Sequence, residues 1–104
     1  MEPVLDESCI SSINLAEVAS RIAAVKGLGD PTVRNLVRTR LAVVPFDKLD
    51  AFKVAELLPL TRDLGLSLAD RACLALGIAR KIPVLTADHA WEGLEIGVKI
   101  RLIR

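Results

Sequence analysis

Tyrosine is absent from the 104 residues, and the other aromatics amount to two Phe and one Trp. Any core is therefore aliphatic. Leu, Ala, Val and Ile number 17, 13, 10 and 8, which is 48 of the 104 residues. Cysteine is scarce too. Cys9 and Cys73 stand 64 positions apart in apolar runs without metal-like spacing, and the single histidine, His89, completes no zinc site with them. Both read as small buried hydrophobes. An excess of one charge is also lacking: 14 Lys and Arg face 13 Asp and Glu, a formal +1. No overall basic field draws in nucleic acid, so any such partner must be held by local patches. No apolar run reaches the roughly 18 residues of a membrane span. The stretch from Met1 to Glu7 is acidic where a secretory signal is basic, which points to the cytoplasm. What the chain does have is 52% hydrophobic and 26% charged residues, and that excludes intrinsic disorder. A chain of this length holds one domain, residues 1–104.

Along the chain, apolar segments of two periods alternate. Residues 9–13 are short and apolar, a strand; from Asn14, Leu15, Val18, Ile22 and Val25 recur at helical spacing until Gly27 and Gly29. Asp30-Pro31 reads as an N-cap with proline at the first helical position, opening a helix to about Arg40. Residues 42–46 form a second strand, and Asp47 caps a helix to about Asp63, bent or restarted at Pro59. Ser67 and Asp70 make a capping box, with Asp in place of the usual Glu, for a helix to about Arg80. That helix is apolar almost all round, so it is buried on more than one side. Residues 83–87 give a third strand, Asp88 to Trp91 a helical turn, and residues 98–103 a last strand. Strands alternating with helices predict a parallel sheet covered by helices, the α/β class. In such sheets ligands bind beyond the carboxyl ends of the strands.

Asn14 and Glu17 lie three apart after the first strand, Thr86 and Asp88 follow the third, and Asp70 opens the buried helix before it. Three carboxylates thus have a plausible meeting point at one end of the sheet. Clustered acids repel one another unless a cation neutralises them. All-oxygen ligation favours magnesium or manganese over zinc, and the matching chemistry is metal-assisted phosphodiester hydrolysis. Each acid also has a plain structural reading. Glu17 can pair with Arg21 at i+4, Asp70 can serve only its capping box, and Asp88 can be an N-cap.

Three stretches, residues 10–18, 66–76 and 84–91, resemble the PIN-domain ribonucleases, closest to the VapC-type toxins of bacterial toxin–antitoxin pairs. The resemblance extends to the closing strand and so covers essentially the whole chain. It implies a PIN-like three-layer fold, with a parallel sheet flanked by helices, and a magnesium-dependent endoribonuclease. It also implies that Glu17, Asp70 and Asp88 are catalytic, metal-binding carboxylates supported by Asn14, Ser67 and Thr86. Mg2+ (or Mn2+) is the implied cofactor. RNA is the implied substrate and a VapB-like antitoxin the implied partner; since net charge is near zero, the local cations Arg21, Arg62, Arg71 and His89 around the acidic end are the candidate RNA contacts, and a second copy of the chain is a further expected partner.

One departure stands out. The family begins with a strand bearing a metal-binding Asp, followed by helices, before its Asn-x-x-Glu motif; here only 13 residues precede Asn14. Asp6 lies 11 residues before Glu17, too close to be that Asp, and Met1 to Glu7 reads instead as the tail of a helix. The expectation is therefore a domain lacking its central first strand, with impaired activity. It should be prone to self-association through Leu57, Leu58 and Leu60 with Val33, Leu36 and Val37. The rival reading is a non-catalytic PIN remnant that acts as a protein-interaction module. An unrelated phosphate-binding α/β domain is disfavoured, since no Gly-rich loop follows any strand.

Overall fold

A computed structural model describes residues 4–5, 9–32, 35, 42–86 and 88–102. The apolar run at Cys9 is a strand, β2 (Cys9–Ser11), buried at all three positions. The chain turns helical immediately, in α1 (Ser12–Lys26), because the Ser11 hydroxyl accepts from the backbone N–H of Ile13. Gly27 ends α1 at φ 89°, a conformation that costs a side-chain-bearing residue strain, and its N–H donates to the Ala23 carbonyl. Asp30 does act as a cap, its carboxylate accepting from the Thr32 N–H at 2.8 Å. The body of the helix expected after it, including Val33, Leu36 and Val37, lies outside the described residues.

The strand β3 (Ala42–Val44) is shorter than its apolar run, and Asp47 opens α2 (Lys48–Thr61). The helix passes through Pro59 without a restart and tightens into a 3-10 turn, Arg62–Leu64. Ser67 then caps α3 (Leu68–Arg80), β4 (Val84–Thr86) comes next, and a 3-10 turn, His89–Trp91, leads towards β5 (Ile100–Leu102).

Two strand pairs are parallel as expected: β2 with β3, Cys9 opposite Ala42, and β4 with β5, Val84 opposite Ile100. Between these pairs the described sheet is divided. A short strand, β1 (Val4–Leu5), runs antiparallel along the other edge of β4, with Leu5 opposite Val84. These two residues are therefore not a helix tail, which corrects the sequence reading. The edge of β4 offers backbone groups that an extended segment can satisfy, and pairing there buries Leu5.

The all-round apolar character of α3 is explained by its position. It lies against β1, β2 and β4 and also against α1 and α2, so it bridges the two parts of the sheet. Leu74 of α3 and Val84 of β4 are fully buried, with Val54, Leu57, Cys73 and Trp91 around them. Cys9 and Cys73 are buried as thiols, in the manner of small hydrophobes. Among the described residues no helix is long and apolar enough to cross a membrane.

Candidate active site

Asn14 is the most constrained of the expected site residues. It sits in the first turn of α1, 2% exposed, and its Nδ2 donates to the Ala69 carbonyl at 2.9 Å. Reversing the amide would set oxygen against oxygen, so this contact fixes its orientation. Its Oδ1 is left buried without a hydrogen-bond partner. An orphaned buried acceptor costs about 1–3 kcal/mol, so this oxygen invites a donor or a cation. The same contact seats the first turn of α1 against the first turn of α3, where Asp70 stands.

Asp70 and Ser67 form the expected capping box. The Asp70 Oδ2 accepts from the Ser67 N–H at 2.9 Å, and the Ser67 Oγ accepts from the Asp70 N–H at 3.1 Å. One turn beyond Asn14, Glu17 accepts from Arg21 at 2.9 Å, an i+4 ion pair whose Arg side chain is 64% exposed. Asp88 is exposed and caps the 3-10 turn, its Oδ1 accepting from the Ala90 N–H at 2.9 Å. Thr86, at the buried end of β4, accepts the Asp88 N–H on its Oγ1 at 3.1 Å and so fixes the backbone that carries this acid.

Each acid thus takes up the local role its spacing allowed, through one oxygen. The donors fit a hard divalent cation in kind, being all oxygen and including the partnerless Asn14 Oδ1. They do not form a finished cage: among the described residues no three of His, Cys, Asp and Glu gather where one ion could be held. The contact that joins two of the motifs is Asn14 to Ala69.

The four expected RNA contacts divide. Arg62 and His89 are exposed at the starts of the two 3-10 turns. Arg21 lies over Glu17. Arg71 turns inward, its Nη1 donating to the Val54 carbonyl of α2 at 3.1 Å, with Nε buried and unpartnered. Pro59 lacks an N–H for the Ala55 carbonyl, not for that of Val54, so nothing in the sequence marks this contact. Sequence reasoning misses Ser12 altogether. Its hydroxyl accepts the Phe46 N–H at 3.0 Å and ties the start of α1 to the chain leaving β3.

The PIN domain pattern matches residues 2–96. Among solved structures, the chain is similar to one in the crystal structure of VapBC2 from Rickettsia felis bound to a DNA fragment from their promoter. The TM-score is 0.68 at 21% identity, covering 90% of this chain and 73% of that one. No curated protein matches the chain. A pattern that spans nearly the whole sequence, carried on an α/β fold that the Rickettsia felis structure shares, shows that the chain belongs to the PIN-domain family.

Proposed function

We propose that the chain is a metal-dependent endoribonuclease domain of the toxin type, acting in the cytoplasm. Glu17, Asp70 and Asp88 would hold Mg2+ or Mn2+, with a VapB-like antitoxin and a second copy of the chain as partners. The observation that carries this reading is the buried, unsatisfied Asn14 Oδ1, seated beside the turn that bears Asp70 in a chain of this family. When bound, such an ion supplies an activated water and neutralises charge during phosphodiester hydrolysis. The chain's own residues set the stage. Ser67 holds the Asp70 carboxylate against the N-terminus of α3, Thr86 fixes the backbone of Asp88, and Arg21 neutralises Glu17 until a cation replaces it. Arg62 and His89, both exposed, would meet RNA phosphates.

A second reading, a non-catalytic PIN domain serving as an interaction module, is favoured by the absence of a gathered acid triad among the described residues. Metal titration separates the two. Manganese should raise the melting temperature, since a ligand at 100 times its Kd stabilises by about 2.7 kcal/mol, and RNA should be cleaved only in its presence. Asp70→Asn should abolish both effects and leave the metal-free melting temperature nearly unchanged, because an amide oxygen still accepts from the Ser67 N–H. Equal melting with manganese and with chelator, and no cleavage, would establish the second reading.

A further inference from the structure

A cavity of about 300 Å³ opens where the two 3-10 turns meet. Thr61, Asp63 and Leu64 line it from the first turn, and Ala90, Gly93 and Leu94 from the second. Its volume is at the small end for a ligand site. The polar groups in its lining are acceptors. Asp63 is exposed, and among the described residues its carboxylate has neither a hydrogen bond nor an ion pair. The buried Thr61 hydroxyl gives its proton to the Leu57 carbonyl at 2.8 Å, so only lone pairs remain on it. The cavity also lies at the C-terminal end of α2, the negative end of the helix dipole. Cations flank it in the chain: Arg62 stands between Thr61 and Asp63, and His89 precedes Ala90, both exposed. One bond ties it to the expected metal site, since the Ala90 N–H donates to the Asp88 carboxylate at 2.9 Å.

We propose that this cavity holds one base of the RNA strand near the bond to be cut, and that Asp63 selects guanine there. The proposal rests on the ribonuclease reading above and adds a base preference to it. Single-stranded RNA is read by hydrogen bonds to the edges of splayed bases. Guanine is the base whose Watson–Crick edge carries two adjacent donors, N1–H and the 2-amino group, and a carboxylate accepts both together. Adenine and cytosine offer one amino group beside an acceptor, and uracil one N–H between two carbonyls. Each of these sets a lone pair against the Asp63 carboxylate. Among the described residues no aromatic side chain lines the cavity, so stacking that tolerates any base is not supplied and the edge contact decides. Arg62 and His89 offset the repulsion between Asp63 and the neighbouring phosphates.

Anisotropy titration in chelator and at low salt tests this, because binding is then read without cleavage. The probes are a labelled oligouridine and the same strand with one central guanosine, inosine or adenosine. The guanosine strand should bind about tenfold more tightly than the adenosine strand, as a well-placed bidentate contact discriminates. Inosine keeps N1–H and lacks the 2-amino group, so it should fall between them. Asp63→Asn replaces one acceptor oxygen by a donor and should level the series with the melting temperature unchanged. Gly93→Leu is an independent variant: a Cβ at Gly93 meets nothing within 4 Å, so a larger side chain can enter the cavity and fill it. It too should level the series. Equal affinity for all four strands, or a guanosine preference that survives in either folded variant, would overturn the base pocket and leave the ribonuclease reading in place. No binding to any of the four would overturn both.

Discussion

At Gly77 a single hydrogen decides how closely α3 approaches the sheet. A Cβ there would lie 2.8 Å from Val84 Cγ2, 3.0 Å from Val98 Cγ2 and 3.1 Å from the Ile82 carbonyl. Alanine ordinarily favours a helix interior by about 1 kcal/mol over glycine. Here the nearest neighbour is a fully buried, β-branched valine whose rotamer has little freedom. Gly77→Ala should therefore destabilise the fold, by about 1–3 kcal/mol as an overpacked core does. Urea unfolding followed by the emission of the single tryptophan measures this, and an unchanged or raised midpoint would contradict it. The sequence showed a glycine in a helical pattern but not the valines waiting across the gap. Asn14 is similar. Its spacing from Glu17 was visible, whereas its bond to Ala69, 55 residues on, required the fold.

The elements hold their ends with local chemistry, and this part was the most legible. At the start of α2 the Asp47 and Asp50 carboxylates each accept the other residue's backbone N–H at 3.0 Å, a capping box like that of Ser67 and Asp70. The Asp50 N–H holds the Asp47 carboxyl below its ordinary value of 3.8, with Lys53 adding a smaller pull. Asp30 is lowered likewise, first by the Thr32 hydroxyl and then by the Thr32 N–H. A depressed carboxylate pKa means that folding favours the ionised form. Its stabilisation is complete above the ordinary value and is lost as pH falls through the folded one. Asp47→Ala should thus melt below the parent at pH 6, and the gap should close as pH drops below 3.8. A gap of constant size down to pH 3 would sink the assignment. The strand β1 was not legible. Two residues carry no period, and their conformation comes from the β4 edge they meet.

Across the whole molecule, the near-neutral charge leaves the proposed RNA substrate few cations to meet, and the fold engages two of the candidates elsewhere. Arg71 braces α3 against α2, and Arg21 lies on Glu17. Arg62→Ala should therefore lower RNA affinity without shifting the melting temperature. Arg71→Ala should lower the melting temperature, because it strips the Val54 carbonyl of a partner. Anisotropy titrations at 50 and 200 mM salt should show affinity falling steeply, since phosphate contacts release counterions. Affinity independent of salt, or lost equally in both variants without any change in melting, would contradict this division of roles. The divided sheet belongs to the same scale. The parallel pairs followed from β-branched runs between helices, while the gap between them, bridged by α3, is a property of the assembled chain.

By itself the sequence determined whatever depends on neighbours a few residues apart: the helices, their caps, the apolar strands, the aliphatic core, and the three motifs that mark a PIN domain. Those come from periodicity and hydrogen bonds within one turn, which distant residues barely alter. Tertiary structure decided the rest: the antiparallel pairing of Val4 and Leu5, the inward turn of Arg71, the buried oxygen of Asn14, and the separation of the three carboxylates. These depend on which surfaces are left over once the core has closed. Burial and unpaired backbone groups set that outcome, and it is a property of the packed chain rather than of any local stretch of sequence.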